Sequence, residues 1–206
     1  MRGRLITIEG LDGAGKTTLS GGLVDALRAR GVGVVPLREP GGVELAERLR
    51  AIVKDPALRI GARAEALIYA AARAQLVEEE LRPRLDSGAW VLLDRFVDSS
   101  LAYQGAARGL GLAEVAELNR FATGGLRADR TLYLRIDPTL GRRRQGGRGD
   151  GADRLEREDA SFFEAIARAY DELAAREPER IAAIDASGPP EAVLLAALAA
   201  LADLLP

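Results

Sequence analysis

Short apolar runs alternate along the chain with longer segments whose apolar residues recur at helical spacing. The runs are rich in aliphatic side chains and are suited to buried strands. The five predicted strands cover residues 5–9, 32–38, 90–94, 131–136 and 181–185. Strands that alternate with helices are typical of a parallel sheet covered by helices on both faces. The pattern therefore predicts an α/β fold.

The segments between the runs repeat their apolar residues every three or four positions, as helices do. The clearest case covers residues 62–85, where five side chains lie on neighbouring turns: Ala66, Tyr69, Ala70, Arg73 and Leu76. The chain shows no internal repeat and no interdomain linker. We therefore expect a single domain over residues 1–206.

One segment departs from this alternation. Residues 141–154 are rich in glycine and arginine and contain no obvious core residue. A packed element needs apolar side chains to bury. We therefore predict a mobile, charged flap, a lid, at about residues 141–154.

Residues 10–17 read Gly-Leu-Asp-Gly-Ala-Gly-Lys-Thr, a complete phosphate-binding loop. The loop lies between a predicted strand and a predicted helix, which is the context that this motif requires. Its glycines allow a tight turn whose backbone N–H groups face a polyphosphate. Lys16 can reach the outer phosphates, and the Thr17 hydroxyl can ligate Mg²⁺. The alternative is a glycine turn that happens to precede a helix, which the context disfavours.

Composition excludes several kinds of chemistry. The 206 residues include no cysteine and no histidine, so disulfides, thiol catalysis and imidazole bases are ruled out. Lys16 and Lys54 are the only lysines, which makes Lys16 notable in an arginine-rich chain. The chemistry left is that of carboxylates, arginines, one lysine and a metal ion.

Charge and hydropathy limit the partners. The net charge of −2 gives no overall basic field that would attract nucleic acid. The longest apolar stretch, residues 192–205, contains Asp203 and is shorter than the roughly 20 residues of a membrane span. We see no signal peptide before the first strand. These features predict a cytoplasmic protein with no membrane segment.

Three polar blocks follow predicted strands, and ligands bind at the carboxyl ends of such strands. They are the phosphate loop, the block Arg-Glu-Pro-Gly-Gly at residues 38–42, and Asp94-Arg95-Phe96. Asp94 resembles the acidic element that supports Mg²⁺ in phosphate-loop enzymes; alone, it could be a turn aspartate. Arg95 can contact a phosphate through both of its terminal nitrogens; a surface salt bridge is its alternative.

Four blocks in series resemble the bacterial thymidylate kinases over essentially the whole chain. They are residues 10–18, Arg-Glu-Pro-Gly-Gly, Ala-Ala-Arg-Ala-Gln-Leu-Val-Glu at residues 71–78, and Asp-Arg-Phe-Val-Asp-Ser-Ser-Leu-Ala-Tyr-Gln-Gly at residues 94–105. The resemblance implies a three-layer P-loop fold with five parallel strands. It also implies ATP as phosphoryl donor, dTMP as acceptor, Mg²⁺ as cofactor and a homodimer.

The resemblance also implies residue roles on the acceptor side. Asp12 lies near the acceptor sugar and the transferring phosphate, and Arg38 and Arg95 contact the acceptor phosphate. Tyr69 replaces a usual phenylalanine that stacks on the base, and Arg73 reads the thymine edge. The residues that line the base and deoxyribose are Ser100, Tyr103 and Gln104. The residues alone favour a different interpretation, in which Tyr69 is a core aromatic and Arg73 a snorkelling arginine.

On the donor side, the implied ATP-binding residues are Gly10, Gly13, Ala14, Gly15, Lys16, Thr17 and Thr18, with Arg144 and Arg154 from the lid. Thr17 and Asp94 are the predicted metal ligands. Some relatives carry a catalytic arginine where this chain has Gly13, whereas others place it in the lid. The candidates are Arg144, Arg148 and Arg154. The predicted catalytic set is Asp12, Lys16, Arg95 and Arg148.

Two alternatives stay open at this point. The chain could phosphorylate another nucleoside or nucleoside monophosphate on the same architecture. It could also be a nucleotide-binding switch without catalysis. The guanine-reading Asn-Lys-x-Asp motif is missing, because the only asparagine, Asn119, is not followed by lysine.

Overall fold

Five parallel strands form one sheet, in the order β2-β3-β1-β4-β5, in a computed structural model that describes residues 2–145 and 154–205. The strands are β1 Leu5–Gly10, β2 Val34–Arg38, β3 Trp90–Asp94, β4 Arg130–Arg135 and β5 Ile181–Asp185. The predicted α/β fold with a five-stranded parallel sheet is confirmed. The second strand begins two residues later than predicted, because Val32 is buried in the preceding turn and not paired in the ladder.

The helices lie on both faces of this sheet. They are α1 Lys16–Arg28, α2 Glu44–Lys54, α3 Ala62–Leu76, α4 Arg82–Asp86, α5 Val97–Ser100, α6 Leu112–Thr123, α7 Pro138–Gln145, α8 Ala160–Arg176 and α9 Pro190–Ala199. The stretch predicted as one helix over residues 62–85 is helical but divided, with π-helical Val77–Leu81 between α3 and α4. Pro83 lies in the first turn of α4 and lacks an N–H group, so the α-helical hydrogen-bond pattern cannot pass through it unchanged.

Two hydrophobic clusters cover opposite faces of the sheet. Successive side chains of a strand point to opposite faces, and Ile6 and Leu5 of β1 accordingly belong to different clusters. The first cluster takes in apolar residues of α1, α8 and α9, and the second those of α2, α3 and α4. β1 is buried along its full length. The loop that follows it is therefore anchored in the centre of the molecule.

The segment predicted as a flap begins as a helix. Residues 138–145 form α7, so the first five residues of the predicted flap, 141–145, belong to a helix. Gly141 is buried against the phosphate loop: a Cβ atom on Gly13 would lie 2.1 Å from the Gly141 carbonyl oxygen. Gly13 also has a φ of +81°, which favours glycine. The rest of the predicted lid, residues 146–153, lies outside the described residues.

The helices in the described part of the chain include none long and apolar enough to cross a membrane.

Candidate active site

One cavity opens at the carboxyl ends of β1, β2 and β3, where the sequence predicted a ligand site. Thirteen of the predicted site residues line it: Asp12, Gly13, Gly15, Lys16, Thr17, Arg38, Tyr69, Arg73, Asp94, Arg95, Ser100, Tyr103 and Gln104. Gly10, Ala14 and Thr18 lie beside it in the phosphate loop and the first turn of α1. The structure therefore brings the predicted donor and acceptor residues to one place.

The phosphate loop holds the Lys16 ammonium close to its own backbone. Lys16 Nζ donates to the carbonyl oxygens of Gly10 at 3.2 Å and Leu11 at 3.0 Å, and lies 3.4 Å from Asp12 Oδ1. The side chain is only 7% exposed. Burial, and then the nearby Arg95 cation, lower the pKa of Lys16. Both effects favour binding of an anion at this position, because an anion would restore the stability of the charged ammonium.

Asp12 and Arg95 connect the loop to the end of β3. Arg95 Nη2 donates to Asp12 Oδ1 at 2.7 Å. Burial opposes ionisation of Asp12, but Arg95 and Lys16 outweigh it and lower its pKa. Arg95 has a φ of +70°, a conformation that costs an arginine about 1–3 kcal/mol. Such strain persists where the surrounding contacts fix the residue, and here they aim its guanidinium into the cavity.

The end of β3 also carries an unpartnered carboxylate oxygen. Asp94 Oδ1 is buried and has no hydrogen-bond partner among the residues that the structure describes. Thr17, which lines the same cavity, has an exposed side chain. A buried carboxylate oxygen without a donor and a hydroxyl in one cavity fit a hard cation.

Arg73 forms the inner wall of the cavity and is fully buried, with an exposed fraction of 1%. Its Nε and Nη2 atoms contact Glu39 Oε2 at 2.8 and 2.6 Å. The remaining N–H groups donate to Ser100 Oγ, Asn119 Oδ1 and the Phe96 carbonyl oxygen. A guanidinium has five N–H groups; four of those of Arg73 donate hydrogen bonds to the protein, and Nη2 also forms the ion pair with Glu39. Arg73 is not a snorkelling surface arginine.

A buried carboxylate also holds one of the residues predicted to line the base. Tyr69 is half-buried, whereas Tyr103 and Gln104 are buried. Gln104 Nε2 donates to Glu65 Oε1 at 2.9 Å, and Glu65 is completely buried. Arg73 and Gln104 are thus each held by a carboxylate.

The lid arginines lie at two different places. Arg144 donates to the carbonyl oxygens of Ala186 and Ser187, after β5, at 2.9 and 3.0 Å. Arg154 donates to the Val53 carbonyl oxygen at 3.0 Å and pairs with Glu65. Neither lines the cavity. Arg148 falls outside the described residues.

The sequence analysis missed several polar residues that support the site: Glu9, Glu39, Glu65, Ser99 and Asn119. Three of them carried a signal. Glu9 is a carboxylate at the end of a run of mostly aliphatic residues, Glu39 is part of the Arg-Glu-Pro-Gly-Gly block, and Ser99 is part of the block at residues 94–105. Glu65 and Asn119 lie within ordinary helical sequence, where a single polar residue is unremarkable.

The buried Glu9 gives the protein a titration near neutrality. Burial raises the pKa of Glu9 most, and the Asp98 carboxylate raises it further, to about 7. The pKa of Glu9 in the folded protein thus exceeds the ordinary value of 4.5. Its contribution to stability is complete below the ordinary pKa and is lost as the pH rises through the folded pKa.

We expect Glu9→Gln to remove this pH dependence, because an amide does not titrate. The free energy of unfolding of the wild type minus that of the variant should fall from about pH 5 to about pH 8. The expected size is about 1.4 kcal/mol for each unit by which the pKa is raised. Urea unfolding of both proteins across this range measures it. A difference that is constant or that grows with pH would contradict the expectation.

Comparisons with known proteins identify the family and agree with the fold. The family model described as thymidylate kinase matches residues 8–196. The thymidylate kinase of Halorhodospira halophila is 49% identical over 100% of this chain and 96% of that protein. The one of Rhizorhabdus wittichii is 46% identical over 100% of both. The crystal structure of thymidylate kinase from Ehrlichia chaffeensis matches with a TM-score of 0.77 and 27% identity, covering 98% of this chain and 99% of that one. The chain therefore belongs to the thymidylate kinase family.

Proposed function

We propose that this cavity catalyses phosphoryl transfer from ATP to dTMP, giving ADP and dTDP. The enzyme is a nucleoside monophosphate kinase of the family identified above. The observation that carries the assignment to this cavity is the convergence of a phosphate loop with Arg95 and Arg73 on a single space. An enzyme that transfers a phosphoryl group directly must bring its donor and its acceptor together in this way.

On the donor side, we propose that the loop N–H groups and Lys16 bind the ATP phosphates. The attacking oxygen of dTMP is already anionic, so the reaction needs no general base. The protein's part is to position both phosphates and to offset their charge. Buried cations do this well, because they act in a medium of lower dielectric constant than water.

On the acceptor side, we propose that Arg95 and Arg38 bind the phosphate of dTMP. Arg95 lies 2.7 Å from Asp12 of the donor loop, which supports a position between the two substrates. Arg38 is half-exposed, donates to the Pro40 carbonyl oxygen at 3.1 Å and pairs with Glu47 at 2.9 Å. An anionic ligand would compete with these weak surface partners.

Thr17 and Asp94 are the residues that we propose to hold Mg²⁺, which when bound neutralises charge on the ATP phosphates. The unpartnered Asp94 oxygen supports this assignment. Across residues 2–145 and 154–205, no three acidic, histidine or cysteine residues gather as a metal site. The proposed site therefore depends on phosphate oxygens and water for its other ligands, as Mg²⁺ sites in kinases do.

The direct test is an ADP-release assay over a panel of acceptors: dTMP, dUMP, dCMP, dGMP, dAMP and thymidine. We expect dTMP to give the highest kcat/KM. A higher kcat/KM for any purine nucleotide or for thymidine would show that the acceptor is another compound. ADP release that is independent of any acceptor would indicate a simple ATPase.

Base recognition is best tested by Arg73→Lys. Alanine would leave Glu39 as an unpaired buried carboxylate, which destabilises a protein strongly. Lysine keeps the charge but not the planar fork. We expect the affinity for dTMP to fall by about 1–3 kcal/mol and the affinity for ATP to stay unchanged, as measured by calorimetry. Equal losses for the two ligands would mean that Arg73 is only structural.

We further propose a homodimer that assembles through α3 and α6, in the cytoplasm, where ATP is available. The two helices pack together, and they expose Leu67 and Phe121, at 58% and 85%. Exposed apolar residues of this size mark interaction surfaces when they cluster. We expect Phe121→Asp to halve the mass measured by light scattering, while Leu195→Asp on α9, also exposed, leaves it unchanged. Unchanged mass for both variants would refute this interface.

A further inference from the structure

Glu9 is a buried carboxylate to which the proposed reaction gives no part. It is the residue immediately before the phosphate loop, and it is fully buried. It accepts hydrogen bonds from the backbone N–H groups of Phe96 at 2.7 Å and Ser99 at 3.3 Å. It also accepts from the hydroxyls of Ser99 at 2.5 Å and Tyr170 at 2.8 Å. A fully buried carboxylate that accepts four hydrogen bonds holds in place the residues that donate them.

One of those donors, the Ser99 hydroxyl, also contacts Arg95. Arg95 Nη1 donates to Ser99 Oγ at 3.1 Å, the same oxygen whose proton goes to Glu9. Arg95 Nη2 donates to Asp12 Oδ1 at 2.7 Å. These contacts connect Glu9 to Ser99, Ser99 to Arg95, and Arg95 to Asp12. Because Asp12 lies three residues after Glu9 in the chain, the contacts form a closed circuit.

The charge on Glu9 sets the direction of these hydrogen bonds. A hydroxyl has one proton to donate and two lone pairs. An ionised Glu9 takes the protons of both Ser99 and Tyr170, which leaves a lone pair of Ser99 Oγ directed at Arg95. An uncharged partner with its own N–H group could reverse this order, because it would donate to Ser99.

We infer that Glu9 is a positioning residue for Arg95, acting through Ser99, with Tyr170 as its second support. The inference rests on the proposed role of Arg95 at the phosphate of dTMP. Arg95 needs such support because its backbone is in the left-handed region, with a φ of +70°. Because Glu9 directly precedes Gly10, the loop that binds the donor phosphates and the arginine that binds the acceptor phosphate share one anchor.

The first test measures steady-state kinetics of the full-length enzyme. Ser99→Ala removes the acceptor of Arg95 Nη1, a hydrogen bond to a charged group. We expect KM for dTMP to rise about tenfold, with KM for ATP within about twofold of wild type. Equal increases in both constants would overturn the inference, because general loosening of the site affects both substrates.

A double-mutant cycle tests the route from Glu9 to Arg95. Glu9→Gln alone should raise KM for dTMP, whereas in the Ser99→Ala background it should add little, because the connecting hydroxyl is already gone. Additive effects of the two substitutions would overturn the inference. If Glu9→Gln does not fold, the cycle is made with Tyr170→Phe. This substitution removes one hydroxyl donor to Glu9 and keeps the aromatic side chain.

The chain offers a matched control for Tyr170. Tyr133 is also buried, and its ring stacks on that of Tyr170 with the centroids 5.0 Å apart. Its hydroxyl, however, faces Asp171 and not Glu9. We expect Tyr170→Phe to raise KM for dTMP and Tyr133→Phe to leave it unchanged. Equal effects would overturn the inference.

Arg95→Ala separates this inference from the proposed function. If Arg95→Ala leaves KM for dTMP unchanged, the proposed role of Arg95 fails and the inference fails with it. If Arg95→Ala raises KM for dTMP but Ser99→Ala does not, the proposed function stands and only the positioning role of Glu9 is overturned.

Discussion

Replacing Lys16 with alanine is expected to lower kcat by at least about 10²–10³-fold and to leave the fold intact. The Lys16 ammonium lies within 3.2 Å of two carbonyl oxygens of the phosphate loop. The only other lysine, Lys54, lies at the end of α2 and lines the same cavity, but it does not belong to the loop. No second lysine can therefore supply its charge within the loop. A coupled ADP-release assay measures the loss, and circular dichroism with thermal unfolding checks the fold.

Arg176→Ala is the matched control, because it removes one positive charge from the exposed end of α8. It should have wild-type kcat. Lys16→Ala activity within a few-fold of wild type would refute the role of Lys16. An unfolded Lys16→Ala protein would show instead that the ammonium is needed to hold the loop carbonyls together.

The second large effect is expected at Arg148. Some relatives meet the charge of the transferring phosphoryl group with an arginine in the phosphate loop, but no side chain fits at Gly13 while α7 packs against it. Arg144 and Arg154 are engaged by backbone carbonyl oxygens and by Glu65. Of the three predicted lid arginines, Arg148 is the one that the described contacts leave as a candidate.

We therefore propose that Arg148→Ala lowers kcat by about 10³-fold or more, the scale on which arginine fingers act. KM for dTMP should change little, because the interaction belongs to the transition state. Arg148→Lys should recover only part of the rate, since lysine lacks the planar fork.

Arg143→Ala provides the comparison, because Arg143 is an exposed arginine of α7 in the same basic stretch. It should have near-normal kcat. If Arg148→Ala and Arg143→Ala have similar rates, Arg148 is not the catalytic arginine, and Arg144 and Arg154 become the next positions to replace.

Local patterns were enough to predict the sheet and the donor loop. A strand buried on both faces has a mostly apolar run, and such runs located β1, β3 and β4 to within one residue. The phosphate loop depends on a short motif whose glycines, lysine and threonine act within eight positions of the chain. Elements whose structure depends on neighbouring residues can therefore be recognised from the sequence alone.

The supports of the site could not be predicted in this way. Arg73 is held by Glu39, 34 residues away, and by Asn119, 46 residues away. Glu9 is held by Tyr170 across 161 residues. Such pairings depend on how helices pack across the sheet, and a single sequence carries no signal of them. The resemblance likewise implied that Arg73 reads the thymine edge but gave no sign of the four hydrogen bonds by which the protein holds it.

The contact between Gly13 and Gly141 has a consequence for how this enzyme can change by mutation. Any side chain at position 13 meets the Gly141 carbonyl oxygen at 2.1 Å, and one at position 141 meets the Asp12 carbonyl oxygen at 2.9 Å. An arginine introduced into the loop would therefore push α7 away before it could serve catalysis. Moving the proposed catalytic cation from the lid to the loop therefore takes more than one substitution, because the first of them disrupts the packing between α7 and the loop. A side chain at either glycine is therefore compatible with the loop only when α7 lies farther from it.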